Sequence, residues 1–542
     1  MIGFNIGSQI TKYSSGKLTS QKEIYTIKDF QINQLINDFN DRVILSIIQF
    51  KHSNILYGAL TKTNYKKYYL STFDNLSRLI GFIYNIKINQ KETEYFNTDE
   101  NYDNENTLFT FKLNNDVYKI PCEYCVCIFL SKIFNSIKKK LENTILQKYV
   151  FSIPDYYTYY QKESLKNILN SLELKNFFPF INESTAITMY YGISNYNYLN
   201  YDKKYIIFID MGHSKTSFIL SQFTKKEFIV KNVVNIPFLG GRDFNKKIFK
   251  FCLEEYKNQN ERNLKLNGKN KIKLMEEIEK ARKNLTINTE IKITVEAIEE
   301  NNDFEYIITR EKFEELIKEE LILFENEFQS FYNNVKQYEI IKIEMGGQLM
   351  RTPILEKIIE QITNKSISKT IALDECHSLG ALYYGIFIFD NKKFEELEIV
   401  KSYNLNSIYY SINNSNKNIL ISYGENYPKK ELIKIDNYIK DKYIINFEIF
   451  YEENKYNELG IENNKSLYKY IIDFNNIKQI KDKNINLDYN INESNEILLK
   501  VTKSNFTDLG LEIKVINIFS NKGIVKYYRK LEKYFKEFDT EY

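Results

Sequence analysis

Asp210 is the residue in this sequence that is best placed for chemistry. It follows the apolar run 205–209 and stands directly before a turn that contains Gly212. A carboxylate at the end of a buried strand, beside a tight turn, can hold a hydrated Mg²⁺ next to phosphates. An aspartate can also simply cap such a turn in any α/β protein, and for Asp210 alone that structural explanation is the stronger one. Other segments must decide between the two.

Glycine-bearing segments fit one plan for a nucleotide cleft. Glycine is scarce, with 18 residues in 542, yet both Gly-Gly pairs follow an extended apolar stretch and precede a predicted helix. Without a Cβ, backbone N–H groups can approach a phosphate closely, and a helix N-terminus attracts anionic oxygens. A turn that needs a positive φ would select glycine equally well. The segments are Gly3-Phe4-Asn5-Ile6-Gly7, Asp210-Met211-Gly212-His213-Ser214, Leu239-Gly240-Gly241-Arg242-Asp243 and Met345-Gly346-Gly347.

A charged helical stretch lies between the two Gly-Gly pairs. Glu279, Arg282 and Lys283 share one amphipathic segment, and one face of such a helix can clamp an adenosine. An ordinary solvated charged face has the same composition and is the more common case. The order of the motifs along the chain has to decide.

Composition limits the class of protein. The chain is too long for one hydrophobic core, so we expect two or three domains. Lysine and arginine (75) nearly balance aspartate and glutamate (71), and this net charge of +4 argues against a protein devoted to DNA or RNA. No secretory signal is visible at the start, and no apolar run approaches the roughly 18 residues of a membrane span. The sequence predicts a soluble, cytoplasmic protein without a nucleic-acid or membrane partner.

Three of the five cysteines, Cys122, Cys125 and Cys127, lie close together. A zinc site needs a fourth ligand at suitable spacing, and the three histidines show no paired spacing that would supply it. We therefore predict that these cysteines pack as small apolar residues on a buried helix face, and we predict no zinc.

The pattern of the chain changes near residue 390. Up to residue 388, strand-like apolar runs alternate with helical patterns, which is typical of an α/β fold. Beyond it, alternating segments between Asn, Lys and Gly turns indicate an antiparallel β-domain, and an amphipathic stretch predicts a final helix. The predicted domains are 1–388, 389–520 and 521–542. The predicted helices are Lys162 to Leu174, Phe244 to Tyr256, Leu274 to Leu285, Arg310 to Tyr332 and Asp374 to Ile386, and the predicted strands include 205–209, 339–344, 419–423, 443–450, 468–474 and 497–501.

The order of these motifs resembles that of a known family. Neither a Gly-x-Gly-x-x-Gly nor a P-loop motif occurs, which removes the dinucleotide and P-loop classes. The chain is similar to the heat shock protein 70 superfamily, and Asp-Met-Gly-His-Ser and Gly-Gly-Arg-Asp resemble its heat shock protein 110 branch. The matching segments are Gly3 to Gly7, 75–81, Ile181 to Ala186 with 191–193, Asp210 to Ser214, Leu239 to Phe244, Glu279 to Leu285, Met345 to Gly347 with 351–353, and Asp374-Glu375.

The resemblance implies a fold and a set of site residues. The expected fold is an α/β actin-like ATPase domain with two lobes around a nucleotide cleft, followed by an antiparallel β-sandwich and a short C-terminal helix, a truncated lid. Asp210 would hold the water shell of Mg²⁺, and Glu183 would lie near the attacking water. The implied nucleotide contacts are Gly7, Ser8, Gly212, His213, Gly240, Gly241, Gly346 and Gly347 at phosphates or ribose, Glu279, Arg282 and Lys283 at adenosine, and Asp374 at adenine.

Two departures from the family pattern weaken the expected chemistry. Asn5 stands where the family has an aspartate, which removes a negative charge from the metal shell. Ser77 stands where the family has a catalytic lysine, and losing that charge weakens stabilisation of the developing phosphate charge by a few kcal/mol. We therefore expect ATP or ADP to bind, with weakened Mg²⁺ binding, and hydrolysis to be weak or absent.

The resemblance implies a chaperone function in the stress response. The first hypothesis is a co-chaperone that releases ADP from a heat shock protein 70 partner, with a β-domain that holds unfolded polypeptide. The second is an ATP-hydrolysing foldase, for which Asn5 and Ser77 are unfavourable. A third, a sugar kinase or actin-like scaffold, shares only the first domain and is disfavoured by the β-rich region after residue 390.

Overall fold

The protein is described here by a computed structural model. The described residues are 1–18, 24–25, 30–34, 43–51, 54–81, 102–103, 108–113, 116–140, 148–172, 174, 177–299, 302–371, 373–389, 393–394, 396–435, 444–452, 466–473, 485–492, 497–503 and 513–517. The final helix that the sequence predicts at 521–542 lies outside them.

The first part of the chain forms one large mixed sheet, smaller separate sheets and helices. Its strands are β1 (Ile2–Ile6), β2 (Ile10–Leu18), β3 (Ile24–Tyr25), β4 (Phe30–Gln34), β5 (Ile44–Leu45), β6 (Ile48–Lys51), β7 (Asn54–Tyr57), β8 (Thr72–Phe73), β9 (Tyr102–Asp103), β10 (Leu108–Leu113), β11 (Asp116–Pro121), β12 (Tyr149–Ile153) and β13 (Phe177–Asn182). Its helices are α1 (Cys122–Lys140), α2 (Tyr159–Ser171) and α3 (Glu183–Ser194). The large sheet has the order β13-β12-β1-β2-β4, in which β1, β12 and β13 are parallel and β2 is antiparallel to β1.

The middle of the chain forms a second large mixed sheet, a separate two-stranded sheet made of its fourth and fifth strands, and helices. Its strands are β14 (Lys204–Met211), β15 (Thr216–Phe223), β16 (Glu227–Ile236), β17 (Glu290–Glu299), β18 (Asn302–Thr309) and β19 (Ile340–Gly346). Its helices are α4 (Gly241–Asn260), α5 (Gly268–Asn284), α6 (Arg310–Leu316), α7 (Lys318–Val335), α8 (Pro353–Thr363) and α9 (Leu373–Phe389). β19 and β14 are parallel, whereas β14, β15 and β16 are successive antiparallel neighbours.

The two large sheets share one plan. In each, a first strand turns back through a glycine turn into an antiparallel partner, and a parallel strand flanks its other side. β1, the Gly7 turn and β2 follow this plan with β12, and β14, the Gly212 turn and β15 follow it with β19. Both glycine turns therefore lie at the carboxyl ends of strands with a parallel neighbour, which is where α/β sheets place their ligands.

Two helices, α3 and α9, pack against both large sheets. One buried cluster contains Val150 of β12, Ile206 of β14, Ile187 of α3 and Leu382 of α9. Separate cores lie under α1 and α2 and under α4 to α8. Burial of these apolar faces, at about 25 cal/mol per Å², holds the first residues of α3 and α9 in place near the turns.

Beyond α9 the described residues contain strands. They are β20 (Lys393–Phe394), β21 (Ile399–Tyr403), β22 (Ser407–Ile412), β23 (Asn418–Ile421), β24 (Asn426–Tyr427), β25 (Lys429–Ile435), β26 (Ile444–Glu452), β27 (Ser466–Asp473), β28 (Ile485–Ile491), β29 (Ile497–Lys503) and β30 (Ile513–Asn517). Antiparallel sheets β23-β22-β26-β27-β30 and β25-β28-β29 share a buried cluster that includes Ile421, Phe447 and Leu487. β21 instead pairs in parallel with β16 and so extends the second large sheet.

Most predicted elements are confirmed, and one differs. The segment Arg310 to Tyr332, predicted as one helix, forms two, because Ile317 leaves helical geometry (φ −98°, ψ 16°) and is completely buried. Cys125 and Cys127 are buried on α1, as the prediction of a buried helix face requires. Among the described helices, none is long and apolar enough to cross a membrane.

Candidate functional site

A cavity of about 140 Å³ lies where the turns of the two large sheets meet. The first hairpin contributes Gly7 and the second contributes Asp210, and the starts of α3 and α4 complete the wall. The lining residues are Asn5, Ile6, Gly7, Ser8, Gln9, Ile10, Lys12, Ser77, Pro154, Tyr156, Glu183, Asp210, Gly212, His213, Ser214, Lys215, Gly241, Arg282, Gly347, Leu349 and His377.

Three potential metal ligands meet in this cavity. Oxygen or nitrogen atoms of Glu183, Asp210 and His377 all lie within 4.8 Å of one another, the one such group found among the described residues. Asp210 lies near the end of β14, opposite Gly346 of β19. Glu183 begins α3, whose start is fixed because the Ser184 backbone N–H donates to an Asp155 carboxylate oxygen at 3.0 Å. The structure thus places His377, which the sequence analysis did not name, beside the predicted residues Asp210 and Glu183.

A lysine lies inside this group of acidic residues. The Lys215 Nζ is 2.5 Å from Glu183 Oε2 and 3.5 Å from Asp210 Oδ2, and only 12% of its side chain is exposed. Burial would lower the pKa of Lys215, but the Glu183 and Asp210 carboxylates outweigh it and raise that pKa above its ordinary value. Burial likewise opposes ionisation of Glu183, yet Lys215 and its other neighbours lower the Glu183 pKa to about 2. Both groups are therefore charged at neutral pH.

Asn5 and Ser77, the two departures from the family pattern, both line the same cavity. The Asn5 amide donates to Glu183 Oε1 at 2.7 Å and to Ser152 Oγ at 3.0 Å. An aspartate at this position would face Glu183 with a second negative charge instead of a donor. Ser77 is held by its backbone, because the Tyr157 hydroxyl donates to its carbonyl at 2.5 Å. The Glu183 carboxylate is therefore contacted by an amide and an ammonium together.

Backbone hydrogen bonds tie the Gly212 turn to the first turn of α4. The Gly241 N–H donates to the Gly212 carbonyl at 3.1 Å, and the Arg242 N–H donates to the His213 carbonyl at 2.9 Å. The Gly240 N–H donates to the Asp243 carboxylate at 2.7 Å. These amides at the start of α4 therefore already have protein acceptors.

Gly347 brings a third backbone segment against the same place. Its φ is +86°, a conformation that side chains with a Cβ rarely adopt. A Cβ on Gly347 would lie 2.1 Å from the carbonyl oxygen of Met211, the residue after Asp210. A glycine at position 347 is thus required for close approach to the second hairpin.

A second cavity, of about 610 Å³, adjoins the first and shares Ser8, Gln9 and His213 with it. Its lining combines charged groups with apolar side chains of α4 and α5, among them Phe249 and Met275. The full lining is Ser8, Gln9, Leu45, Ser46, Ile47, Thr61, Lys62, Tyr65, Asp74, Asn75, His213, Arg242, Asn245, Lys246, Phe249, Lys250, Leu253, Lys271, Ile272, Met275, Glu276, Glu279 and Lys283. Apolar side chains set among charged and polar ones can accommodate an aromatic base and a sugar.

The charged groups of α5 are held by specific partners. Glu279 pairs with Lys283 at 2.6 Å and accepts from the Gln9 amide at 2.8 Å. Burial opposes ionisation of Glu279, but Lys283 lowers its pKa to about 2. Arg282 is buried, and its Nε donates to the Asn245 amide oxygen at 2.7 Å. Of the predicted trio, Arg282 is buried and Glu279 is half-buried, whereas Lys283 is exposed.

His213 carries a neutral imidazole between these cavities. Burial lowers its pKa to about 3; Glu279 opposes this shift, whereas Arg242 and Arg282 add to it. A neutral imidazole can accept one hydrogen bond and donate another, which a glycine in this turn could not do with a side chain.

The structure brings most of the predicted site residues together. The first cavity is lined by Gly7, Ser8, Glu183, Asp210, Gly212, His213, Gly241, Arg282 and Gly347, and the second by Glu279 and Lys283 with Ser8 and His213. Gly240 and Gly346 lie beside these linings, in the turns described above. Asp374 lies in α9, and its side chain is outside the described part of the structure.

Sequence reasoning missed Lys215 and His377. Lys215 is the one lysine in the turn after Asp210, a signal that was visible. His377 follows Asp374 by three residues on a predicted helix, so the turn spacing of that helix was the available hint. Neither residue could be assigned without knowing which elements meet.

Two sheets direct glycine turns and acidic side chains into one cavity, an arrangement typical of α/β proteins that bind nucleotides at the carboxyl ends of their strands. A family model described as "Hsp70 protein" matches residues 19–507. The chain belongs to the Hsp70 family.

Individual relatives are distant and longer. "Heat shock protein 88" of Dictyostelium discoideum is 25% identical over 357 residues, which are 65% of this chain and 45% of the relative. A "Heat shock protein homolog" of Saccharomyces cerevisiae is 24% identical over 362 residues, 65% of this chain and 51% of the relative. "Heat shock 70 kDa protein 16" of Arabidopsis thaliana is 23% identical over 446 residues, which are 80% of this chain and 56% of the relative. The chain spans about half the length of these relatives. The first two support the heat shock protein 110 branch that the Asp-Met-Gly-His-Ser and Gly-Gly-Arg-Asp motifs indicate.

The family implies nucleotide binding with Mg²⁺. Glu183, Asp210 and His377 are suitable ligand types, but the Lys215 ammonium already contacts both carboxylates. A divalent cation among these atoms would stand within a few ångströms of that ammonium, and like charges at ~4 Å repel by several kcal/mol at a protein-like dielectric. With Lys215 in this position, the group does not fit Mg²⁺.

Proposed function

We propose that this chain is a heat shock protein 110-like chaperone that holds ATP or ADP and acts as a nucleotide exchange factor for a heat shock protein 70 partner. We propose also that its β-rich part holds unfolded polypeptide. The domain boundaries proposed are 1–388, 389–520 and 521–542, with two lobes around the cavities and a β-sandwich behind them. The shared core of the two antiparallel sheets supports the sandwich.

The two cavities suit the parts of one nucleotide. Phosphates would enter the 140 Å³ cavity beside Gly7, Gly212 and Gly347, and the nucleoside would extend into the 610 Å³ cavity beside Glu279 and Lys283. Both cavities carry charged groups, and the larger one adds apolar side chains such as Phe249 and Met275 that can contact a base, which supports the proposed occupants.

The state of Glu183 carries the proposal that the nucleotide is held more than it is hydrolysed. A residue that receives a proton from attacking water needs an oxygen lone pair directed at that water, and a contact to each carboxylate oxygen leaves fewer such lone pairs. Here Asn5 contacts one Glu183 oxygen at 2.7 Å and Lys215 contacts the other at 2.5 Å. A carboxylate with a pKa of about 2 is also a weak base at neutral pH. Slow hydrolysis follows from both properties.

The second large sheet, which borders the proposed nucleotide site, is directly connected to the β-rich part of the chain. β21 pairs with β16 at Glu227↔Ile399, Phe228↔Val400 and Ile229↔Lys401. The Asn426 amide also donates to the Val230 carbonyl at 2.7 Å. A change in the second large sheet on nucleotide binding can therefore reach the proposed client-binding part through backbone hydrogen bonds.

Release of labelled ADP from a heat shock protein 70 partner tests the exchange function. In a stopped-flow experiment, excess of this chain should accelerate release by about tenfold or more, and an equal excess of an unrelated protein should not. An unchanged release rate, with this chain loaded with ATP and in excess, rules out the exchange function.

One observation favours the second candidate, an ATP-hydrolysing foldase. Lys215 puts a positive charge in the cavity that Ser77 lacks, and a cation there can stabilise charge on a transferring phosphate. Single-turnover ATP hydrolysis separates the candidates. Turnover that equals a foldase, and that rises with a J-domain protein and peptide, would favour the foldase over the exchange factor.

A further inference from the structure

We propose that the Lys215 ammonium takes the place of magnesium as the counter-ion of the bound nucleotide, so that this chain binds ATP and ADP without a divalent cation. The inference rests on the proposed nucleotide binding and specifies its chemistry. It concerns this chain's own residue, since Lys215 lies in the group of ligand types where the family implies the metal.

Lys215 is fixed in place, unlike an ordinary surface lysine. Its backbone carbonyl accepts from the Gly212 N–H at 2.9 Å, which closes the turn. Its Nζ contacts Glu183 and Asp210 and donates to Ser217 Oγ at 3.1 Å. Contacts at the Lys215 backbone and at its ammonium therefore hold that ammonium at the wall of the 140 Å³ cavity.

The charges of the site match a built-in monovalent cation. Glu183 and Asp210 contribute two negative charges, and Lys215 leaves one of them uncompensated. Asn5 adds none, whereas an aspartate there would add another. A site with three carboxylates and no lysine attracts a divalent ion, but this site has one carboxylate fewer and a cation more. Asn5 and Lys215 thus change the site in the same direction.

The position of Lys215 also accounts for the absence of a lysine at Ser77. Both residues line the same cavity, Ser77 from the first part of the chain and Lys215 from the second hairpin. An ammonium has three donors and binds phosphate as a point charge, so it can serve the same anion from either wall. Lys215 therefore brings a cation to the cavity from the wall opposite Ser77, in a lining that also includes Lys12 and Arg282.

Nucleotide affinity measured with and without magnesium tests the inference. The probe is fluorescently labelled ADP, followed by anisotropy in magnesium and in EDTA. For the unaltered chain, affinity should change by less than about threefold between the two conditions. Lys215→Ala should lose about tenfold or more in EDTA and recover in magnesium, and Lys215→Arg should resemble the unaltered chain. Lys226→Ala, which removes an exposed lysine paired with Glu398, is the matched control and should change nothing.

A second measurement uses Mn²⁺ alone, without nucleotide. The electron paramagnetic resonance signal of free Mn²⁺ should persist with the unaltered chain and decrease with Lys215→Ala, because the vacated carboxylates then take the ion. If Lys215→Ala fails to fold, the double variant Lys215→Ala with Glu183→Gln is used instead. It removes one of the two carboxylate charges that Lys215→Ala leaves unpaired. If this double variant binds labelled ADP in EDTA more weakly than the unaltered chain does, the result supports the role of the ammonium.

The outcomes separate this inference from the proposed function. Nucleotide binding by the unaltered chain that requires magnesium overturns the role of Lys215 and leaves nucleotide binding intact. Equal affinity of Lys215→Ala and the unaltered chain in EDTA overturns it as well. Absence of nucleotide binding in every condition refutes the proposed function, and this inference with it.

Discussion

The Glu183–Lys215 pair gives the sharpest prediction for stability. Glu183→Gln removes one charge from a buried pair and leaves Lys215 with Asp210 at 3.5 Å. The fall of the Glu183 pKa from 4.5 to about 2 corresponds to about 3 kcal/mol, at about 1.4 kcal/mol per pKa unit. Loss of one partner of a buried ion pair costs about 3–5 kcal/mol, so the two values agree. We expect a loss of about 3 kcal/mol at neutral pH.

The same pair predicts a direction for pH dependence. The folded pKa of Glu183 lies below its ordinary value of 4.5, so its contribution is complete above that pH. The contribution is lost as the pH falls from about 4.5 towards about 2. Glu183→Gln should remove this part of the acid sensitivity, because glutamine does not titrate.

Hydrogen exchange by mass spectrometry is the suitable assay, since a chain of several cores need not unfold in one step. Peptides from β14 and β15 report on the hairpin that carries Asp210 and Lys215. Glu398→Gln, at an exposed pair, is the control and should leave their protection unchanged. If the free energy of exchange of this hairpin in the Glu183→Gln variant stays within about 0.5 kcal/mol of its value in the unaltered chain, the reasoning is refuted.

Three further predictions concern neighbouring residues. Gly347→Ala should destabilise the end of β19 by about 1–3 kcal/mol, because φ is +86° and the Cβ meets the Met211 carbonyl; hydrogen exchange of β19 measures it, and unchanged exchange contradicts it. Arg282→Met should lower labelled-ADP affinity by about tenfold, since it removes the buried guanidinium beside Asn245, with Arg310→Met as a control away from both cavities. His213→Gln should reduce the loss of stability between about pH 6.5 and about pH 3, where the folded pKa of His213 lies below its ordinary value; identical acid unfolding would contradict this.

Local patterns in the sequence predicted much of the fold. Apolar periodicity located the strand ending near Asp210 and the helix after Gly241, because both depend on neighbouring residues. The break at Ile317 was not predictable from periodicity, since it depends on burial against distant side chains. Near residue 390, where the pattern changes, α9 ends at Phe389 and the described elements that follow are strands; the domain boundary itself stays a prediction.

The candidate site was predictable in its residues but not in its contacts. Asp210, Glu183 and the glycine turns carry local motifs, whereas the role of Lys215 depends on a contact with a residue 32 positions earlier. The Gln9–Glu279 hydrogen bond spans 270 positions. Asn5 predicts that a negative charge is missing and Ser77 that a positive charge is missing. Neither prediction could take account of the Lys215 ammonium, because only tertiary structure brings it into the same cavity.

The hydrogen bonds between the Gly212 turn and α4 determine where the nucleotide cavity can separate. Two backbone hydrogen bonds join these segments, so they move as one body. Towards the first hairpin the contacts are between side chains, with the Ser214 hydroxyl donating to Ser8 at 2.9 Å and the Gln9 amide to Glu279 at 2.8 Å. Side-chain contacts break and re-form faster than paired backbone, so the seam lies along Ser8 and Gln9. If the chain binds a nucleotide as proposed, we expect it to leave through that seam, past the Ser8–Ser214 and Gln9–Glu279 contacts.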